Sequence, residues 1–151
     1  MKNSDEKKAY NRNYYMRNKA IIKTQHDEYD STTEGVWAKF KSHKLTSKKG
    51  FRMGKEDFCR WYEKAEKVCF YCNCNVLETH KILKALKIKR FPKRLEFDRK
   101  DNLKGYTLSN IVLACTICNV HKTWFFSSSE FLEITKRYLR PKFKDILSKA
   151  D

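Results

Sequence analysis

The chain has 151 residues, 40% of them apolar and 14% aromatic, enough for about one domain with a modest core. Lysine and arginine number 34 against 18 acids, a formal charge of +16 with an isoelectric point near 9.6, so a polyanion, nucleic acid first, is the expected partner. The polar opening residues and the lack of any bilayer-length apolar run argue against a signal peptide and a membrane span, and an intracellular protein, in the host cytoplasm if viral, is expected.

Residues 1–24 predict a basic N-terminal helix or arm. Ala9, Asn13, Met16 and Ala20 recur at helical spacing, and neither proline nor glycine interrupts 5–23. Tyr10, Tyr14 and Tyr15 alternate with Lys7, Lys8, Arg12 and Arg17, which favours nucleic acid over lipid because rings stack on bases. A polar linker is expected over 25–33 and a helical flank over 25–67 as a whole. In that flank Val36, Trp37 and Phe40 form one buried face, 42–54 reads as a basic loop, and Phe58, Trp61, Tyr62 and Ala65 make the stripe of a core-packed helix. That helix leads to Cys69. Ile82, Leu83, Leu86 and Ile88 predict a short basic helix, ended before Pro92. Two short strands, Arg94 to Asp98 and Asn110 to Cys115, bracket the turn-like stretch 101–105 and predict a hairpin, with a helix from Thr116. The C-terminal helices, 127–151, open on a Ser127/Glu130 capping box, break at Pro141 and end on Phe143, Ile146, Leu147 and Ala150. Aromatic residues in 58–62 and 124–131 are expected in the core.

Six cysteines in a reducing compartment read as ligands or free thiols before disulfides. Cys69/Cys72 and Cys115/Cys118 form two CxxC pairs, the spacing that closes a four-thiolate structural zinc shell. Cys74 is an alternative ligand with poorer spacing, and Cys59 is expected as a buried thiol.

Cys69-Phe70-Tyr71-Cys72, Asp98-Arg99, Gly105-Tyr106, Ser109-Asn110-Ile111-Val112-Leu113, Cys115-Thr116-Ile117-Cys118-Asn119 and Lys122 together make residues 68–126 resemble the phage-type HNH endonuclease family. The resemblance implies an α+β fold, a ββα-metal finger with a structural Zn²⁺ site surrounded by short helices. It also implies a metal-dependent endonuclease hydrolysing phosphodiester bonds, with DNA favoured over RNA. Asp98 and Asn119 would hold one catalytic Mg²⁺ or Mn²⁺, and Asn110 would tie the finger loop by backbone hydrogen bonds.

Where the family places a general-base histidine, this chain has Arg99, which cannot take a proton near neutral pH. Arg99 suits a phosphate contact instead, as does Lys122 on the Asn119 helix face. Asp101 ranks first as a substitute base and His80 second. Tyr106 would need a strongly lowered pKa, and His121 points about 200° away from Asn119 on an ideal helix. A weak or inactive zinc-containing nucleic-acid-binding module, a homodimer, and a subunit of a larger nucleoprotein assembly stay open as alternatives.

Overall fold

The computed structural model describes residues 4–45 and 49–149. Ala150 and part of the expected 42–54 loop lie outside them. Helices α1 (Ser4–Ser31), α2 (Thr33–Lys44), α3 (Lys55–Lys64) and α4 (Val76–Ala85) precede a hairpin of β1 (Glu96–Arg99) and β2 (Ile111–Ala114). Helices α5 (Thr116–Lys122), α6 (Ser128–Ile134) and α7 (Arg140–Ser148) follow. The protein is α+β, with one antiparallel two-stranded sheet pairing Glu96 with Ala114 and Asp98 with Val112. Among the described residues no helix is long and apolar enough to cross a membrane.

Helix α1 runs through the stretch 25–33 expected as a linker, because nothing there breaks a helix before Thr32. Thr32 stops it: its hydroxyl donates to the Tyr29 carbonyl at 2.7 Å and accepts from the Gly35 amide at 3.0 Å, capping α2. The corner is tight, since a Cβ on Gly35 would lie 2.0 Å from the Tyr29 oxygen. Ion pairs from Asp27 to Lys93 and from Asp30 to Lys39 pin this end of α1, and Arg94 donates to the Asp30 carbonyl at 2.7 Å. Hydrogen bonds from Lys93 and Lys39 hold the carboxyls of Asp27 and Asp30 below the usual carboxylate range.

Two apolar clusters flank the hairpin. Val36, Trp37, Phe40, Phe58, Tyr106 and Ile111 make an aromatic one, in which Phe40 and Phe97 sit 4.4 Å apart. The other gathers the cysteines with Tyr71, Ile82, Leu83, Leu95, Val112, Phe131 and Phe143. Phe97 packs against both, which locks β1 between the flank helices and the cysteine cluster.

Helix α4 starts on an Asn75/Glu78 capping box and ends before Leu86 and Ile88. The Ser127/Glu130 box opens α6. Pro141 does not end the helix, however. A π-helical turn, Thr135–Leu139, widens the backbone before it, and Pro141 falls in the first turn of α7, where a missing N–H costs little. Trp124 and Phe125 also depart from expectation, at 82% and 70% exposure, while Phe126 is half-buried and Phe131 buried. Thr123, at φ 54°, ends α5 and turns the next two rings outward.

Candidate functional site

The four CxxC sulfurs converge. Ligand atoms of Cys69, Cys72, Cys115 and Cys118 all lie within 4.8 Å of one another, and every one of these residues is buried. Cys72 and Cys115 Sγ are 3.7 Å apart. With Zn–S bonds of about 2.3 Å, the edge of a tetrahedral sulfur shell is about 3.8 Å. Crowding sets the protons against one another. Hydrogen bonds from Cys115, Cys118 and Cys72 hold the Cys69 thiol far below its ordinary range, and the contacts with Cys115 and Cys69 push Cys118 far above it. Four buried sulfurs at this spacing make a site that could hold a metal ion. Cys74 is buried outside this group, with its sulfur 3.9 Å from the Cys72 carbonyl, and Cys59 is only half-buried.

Local backbone geometry builds the cluster. Asn73 at φ 65° turns the first knuckle, whose Cys69 amide reaches the Cys74 carbonyl at 2.9 Å and whose Phe70 amide reaches Leu113 at 2.8 Å. Cys115 is the N-cap of α5, its sulfur accepting from the Cys118 amide at 3.4 Å. The same cysteine therefore both joins the sulfur cluster and starts α5.

Asn110 is buried and ties the hairpin loop. Its amide nitrogen donates to the carbonyls of Asp101 at 3.0 Å and Gly105 at 2.9 Å, and its oxygen accepts from the Asp101 amide at 2.9 Å. Asn110→Ala is expected to lower stability by about 3 kcal/mol through the stranded loop carbonyls, read as a shift in urea unfolding.

Glu96 and Asp98 point from one face of β1 toward α5, as the two-residue strand period requires. Asp98 is buried. Its Oδ2 accepts from the Tyr71 phenol at 2.6 Å and pairs with the Lys122 ammonium at 3.2 Å, while among the described residues its Oδ1 carries no hydrogen bond. Burial, then the Asp98 contact, raises the Tyr71 pKa, so the phenol stays a donor. Asn119 donates its amide nitrogen to Glu96 Oε2, which leaves its Oδ1 as the remaining donor oxygen. Glu96 also accepts from Thr116 at 2.9 Å and from Arg90 at 2.9 Å.

Lys122 is 0% exposed and so stands away from any phosphate at the surface. Its ammonium donates to the Arg99 carbonyl at 2.7 Å and the Asn102 side chain at 3.0 Å, beside its pairing with Asp98. Three oxygen partners offset the cost of burying the charge. Arg99 lies on the opposite strand face from Asp98. Its guanidinium donates to the Lys104 carbonyl at 3.1 Å and sits 5.0 Å from the Tyr106 ring centroid.

Among the substitute bases, Asp101 is bound by the Leu103 amide and Lys104, which hold its pKa down and weaken it as a proton acceptor. His80 donates from Nε2 to the Pro92 carbonyl at 2.7 Å, and His121 contacts the Ile117 carbonyl at 2.7 Å. Tyr106 is buried in the aromatic cluster.

A cleft of about 480 Å³ opens beside Asn119 and Glu96, walled by Lys39, Lys44, Arg90, Lys93 and Arg94, with His43 on its rim. Sequence reasoning passed over Glu96, Thr116 and His43. Strand alternation from Asp98 and the i, i+3 relation of Thr116 to Asn119 carry the signal for the first two. His43 joins the cleft only through tertiary packing.

No protein-family model and no characterised protein sequence matches the chain. Among solved structures it is similar to the rare-cutting HNH restriction endonuclease PacI, a protein described for an extraordinary mechanism of DNA perturbation. The TM-score is 0.61 and the identity 24%, over 73% of this chain and 78% of that one. The likeness, with the four-cysteine cluster, shows that the chain has the fold of an HNH-type endonuclease.

Proposed function

We propose that the protein is a zinc-stabilised, metal-dependent endonuclease of HNH type that hydrolyses phosphodiester bonds in DNA. The reading rests chiefly on one observation. Asp98 and Asn119 each have one polar atom anchored by a neighbour and, among the described residues, an Oδ1 without a hydrogen bond, and Asn119, with Glu96 from the same strand face as Asp98, lines a cleft walled by five cations. Those two hard oxygens are the donors that would hold Mg²⁺ or Mn²⁺, which would polarise the phosphate and stabilise developing charge. Tyr71 and Lys122 hold Asp98 in place, and the cleft cations receive the flanking phosphates. The structural Zn²⁺ would take Cys69, Cys72, Cys115 and Cys118. DNA is favoured over RNA because the similar endonuclease acts on DNA.

The histidine missing at Arg99 leaves the proton acceptor to another group. His43, which lines the Asn119 cleft, is the imidazole we assign to it.

Supercoiled plasmid incubated with the zinc-loaded protein and a Mg²⁺ or Mn²⁺ titration is expected to be nicked. Asp98→Asn, which keeps an acceptor for Tyr71 and Lys122 but removes the charge, should abolish nicking while duplex binding persists. His43→Gln should slow it roughly 10²-fold or more. Nicking by Asp98→Asn at the native rate would sink the cation assignment. A second reading, a nucleic-acid-binding module or assembly subunit without cleavage, draws on Arg99 at the base position and the hydrogen-bonded Asp101. Duplex binding with no nicking at any pH or metal concentration would establish that reading instead.

A further inference from the structure

Helix α1 spans 28 residues and none of them is buried. From Lys7 to His26 it contains Lys7, Lys8, Arg12, Arg17, Lys19 and Lys23 and not one acid. A helix so charged has neither a buried face nor i, i+4 ion pairs to hold it, and its own cations repel.

The cations are not spread evenly. At 100° per residue, Lys8, Arg12, Tyr15, Lys19, Lys23 and His26 fall within an arc of about 80°. From Lys8 to Lys23 this stripe is about 22 Å long. Asp30 lies on the same face one turn further on, and its partner Lys39, together with Lys93 and Arg94 beside it, walls the cleft at Asn119. The cationic stripe therefore leads toward the candidate cation site, joined to the cleft wall through the ion-paired Asp27 and Asp30. No unbroken apolar face stands opposite the stripe, because Asn13, Arg17 and Asn18 interrupt Tyr10, Tyr14 and Ile21. That arrangement fits a phosphate backbone with stacking rings better than a lipid surface or a second copy of the same cationic helix.

We infer that the Lys8, Arg12, Lys19 and Lys23 face of α1 binds the duplex backbone flanking the cleavage site, so that the footprint on DNA extends beyond the cleft. The inference rests on the endonuclease reading for its choice of DNA. Because the stripe with its continuation to Asp30 is about 33 Å long, the added footprint is about one turn of duplex.

The test compares the full zinc-loaded chain with its Lys8/Arg12/Lys19/Lys23→Gln variant, without added divalent cation, on duplexes of 10 and 30 base pairs over a range of salt. The substituted side chains are exposed, and zinc content with circular dichroism checks that the body stays folded. On the long duplex the variant is expected to lose at least 10-fold in affinity and two to four units of the log affinity against log salt slope, at about 0.9 unit per phosphate contact. On the short duplex, which the cleft alone can cover, the loss should be under 3-fold. Equal binding of the two proteins to the long duplex overturns the inference and leaves the endonuclease reading intact. So does a variant that loses binding to anionic phosphatidylglycerol vesicles but not to DNA. If neither protein binds duplex of either length at low salt, the endonuclease reading fails, and the arm falls with it.

Discussion

Cys118→Ser is expected to leave the chain without zinc and unfolded at room temperature, whereas Cys74→Ser keeps both zinc and fold. Cys118 is 0% exposed and sits within 4.8 Å of the three other clustered sulfurs. Its amide also makes the first bond of α5, to the Cys115 sulfur. Structural zinc contributes about 10–16 kcal/mol of apparent binding free energy in small zinc-dependent folds. Whole domains are stable by only about 5–15 kcal/mol, so the ion outweighs the rest of the balance. The two-stranded sheet could not replace it, since an isolated hairpin is marginal in water. Metal analysis and circular dichroism of the two variants read the result. Zinc retained stoichiometrically by Cys118→Ser with a native spectrum would defeat the four-sulfur assignment, and zinc lost from Cys74→Ser would redraw it. A chelator strong enough to strip the native protein should reproduce the Cys118→Ser spectrum and stop nicking.

The cysteines were legible because zinc chemistry depends on a spacing visible in one dimension. The same holds for the Phe58, Trp61 and Tyr62 stripe, the Ser127/Glu130 box and the hairpin, which are local patterns with local causes. Asn110 was legible through the family resemblance, which implied the loop tie its amide makes to the carbonyls of Asp101 and Gly105. What escaped depends on contacts between distant segments. Polar residues 25–33 read as a linker because the partners of Asp27 and Asp30, Lys93 and Lys39, lie elsewhere in the chain. Pro141 read as a stop because the π turn that accommodates it leaves no mark in hydrophobic periodicity. Trp124 and Phe125 read as core because apolarity carries no information about the Thr123 backbone that turns them outward. Lys122 shows the limit most clearly: a lysine is expected at the surface, and only the coincidence of Asp98, Asn102 and the Arg99 carbonyl makes its burial tolerable.

Those polar contacts also join the two centres. Tyr71 lies between Cys69 and Cys72 of the sulfur cluster, and its phenol grips the carboxylate proposed to hold the catalytic cation. The α7 end of the chain steadies the same knuckle, Arg140 donating to the Tyr71 carbonyl at 2.9 Å. Order at Asp98 therefore depends on order at the sulfur cluster.

Lys122→Met is the substitution expected to cost most among changes that leave the cysteines alone. Methionine refills the space of the aliphatic stem, so the loss isolates the ammonium. Removing one partner of a buried ion pair costs about 3–5 kcal/mol, because the surviving charge is left in a poor solvent. Here the survivor is Asp98, whose side chain is 10% exposed and keeps only the Tyr71 phenol. Asp98→Asn should cost less, about 2 kcal/mol, since the amide oxygen still accepts from Tyr71 and Lys122 retains two neutral acceptors. The double variant is the decisive measurement. With no charge left to strand, it should be more stable than the sum of the single losses by about 1–3 kcal/mol in guanidinium unfolding of the zinc-loaded protein. Additive losses, within about 0.5 kcal/mol, would mean that Lys122 is held by Arg99 and Asn102 rather than by Asp98. The catalytic readout should diverge from the stability readout. Lys122→Met keeps both proposed cation donors, so nicking should persist below its unfolding transition with an altered metal requirement, whereas every variant lacking the Asp98 charge should be inactive however well it folds.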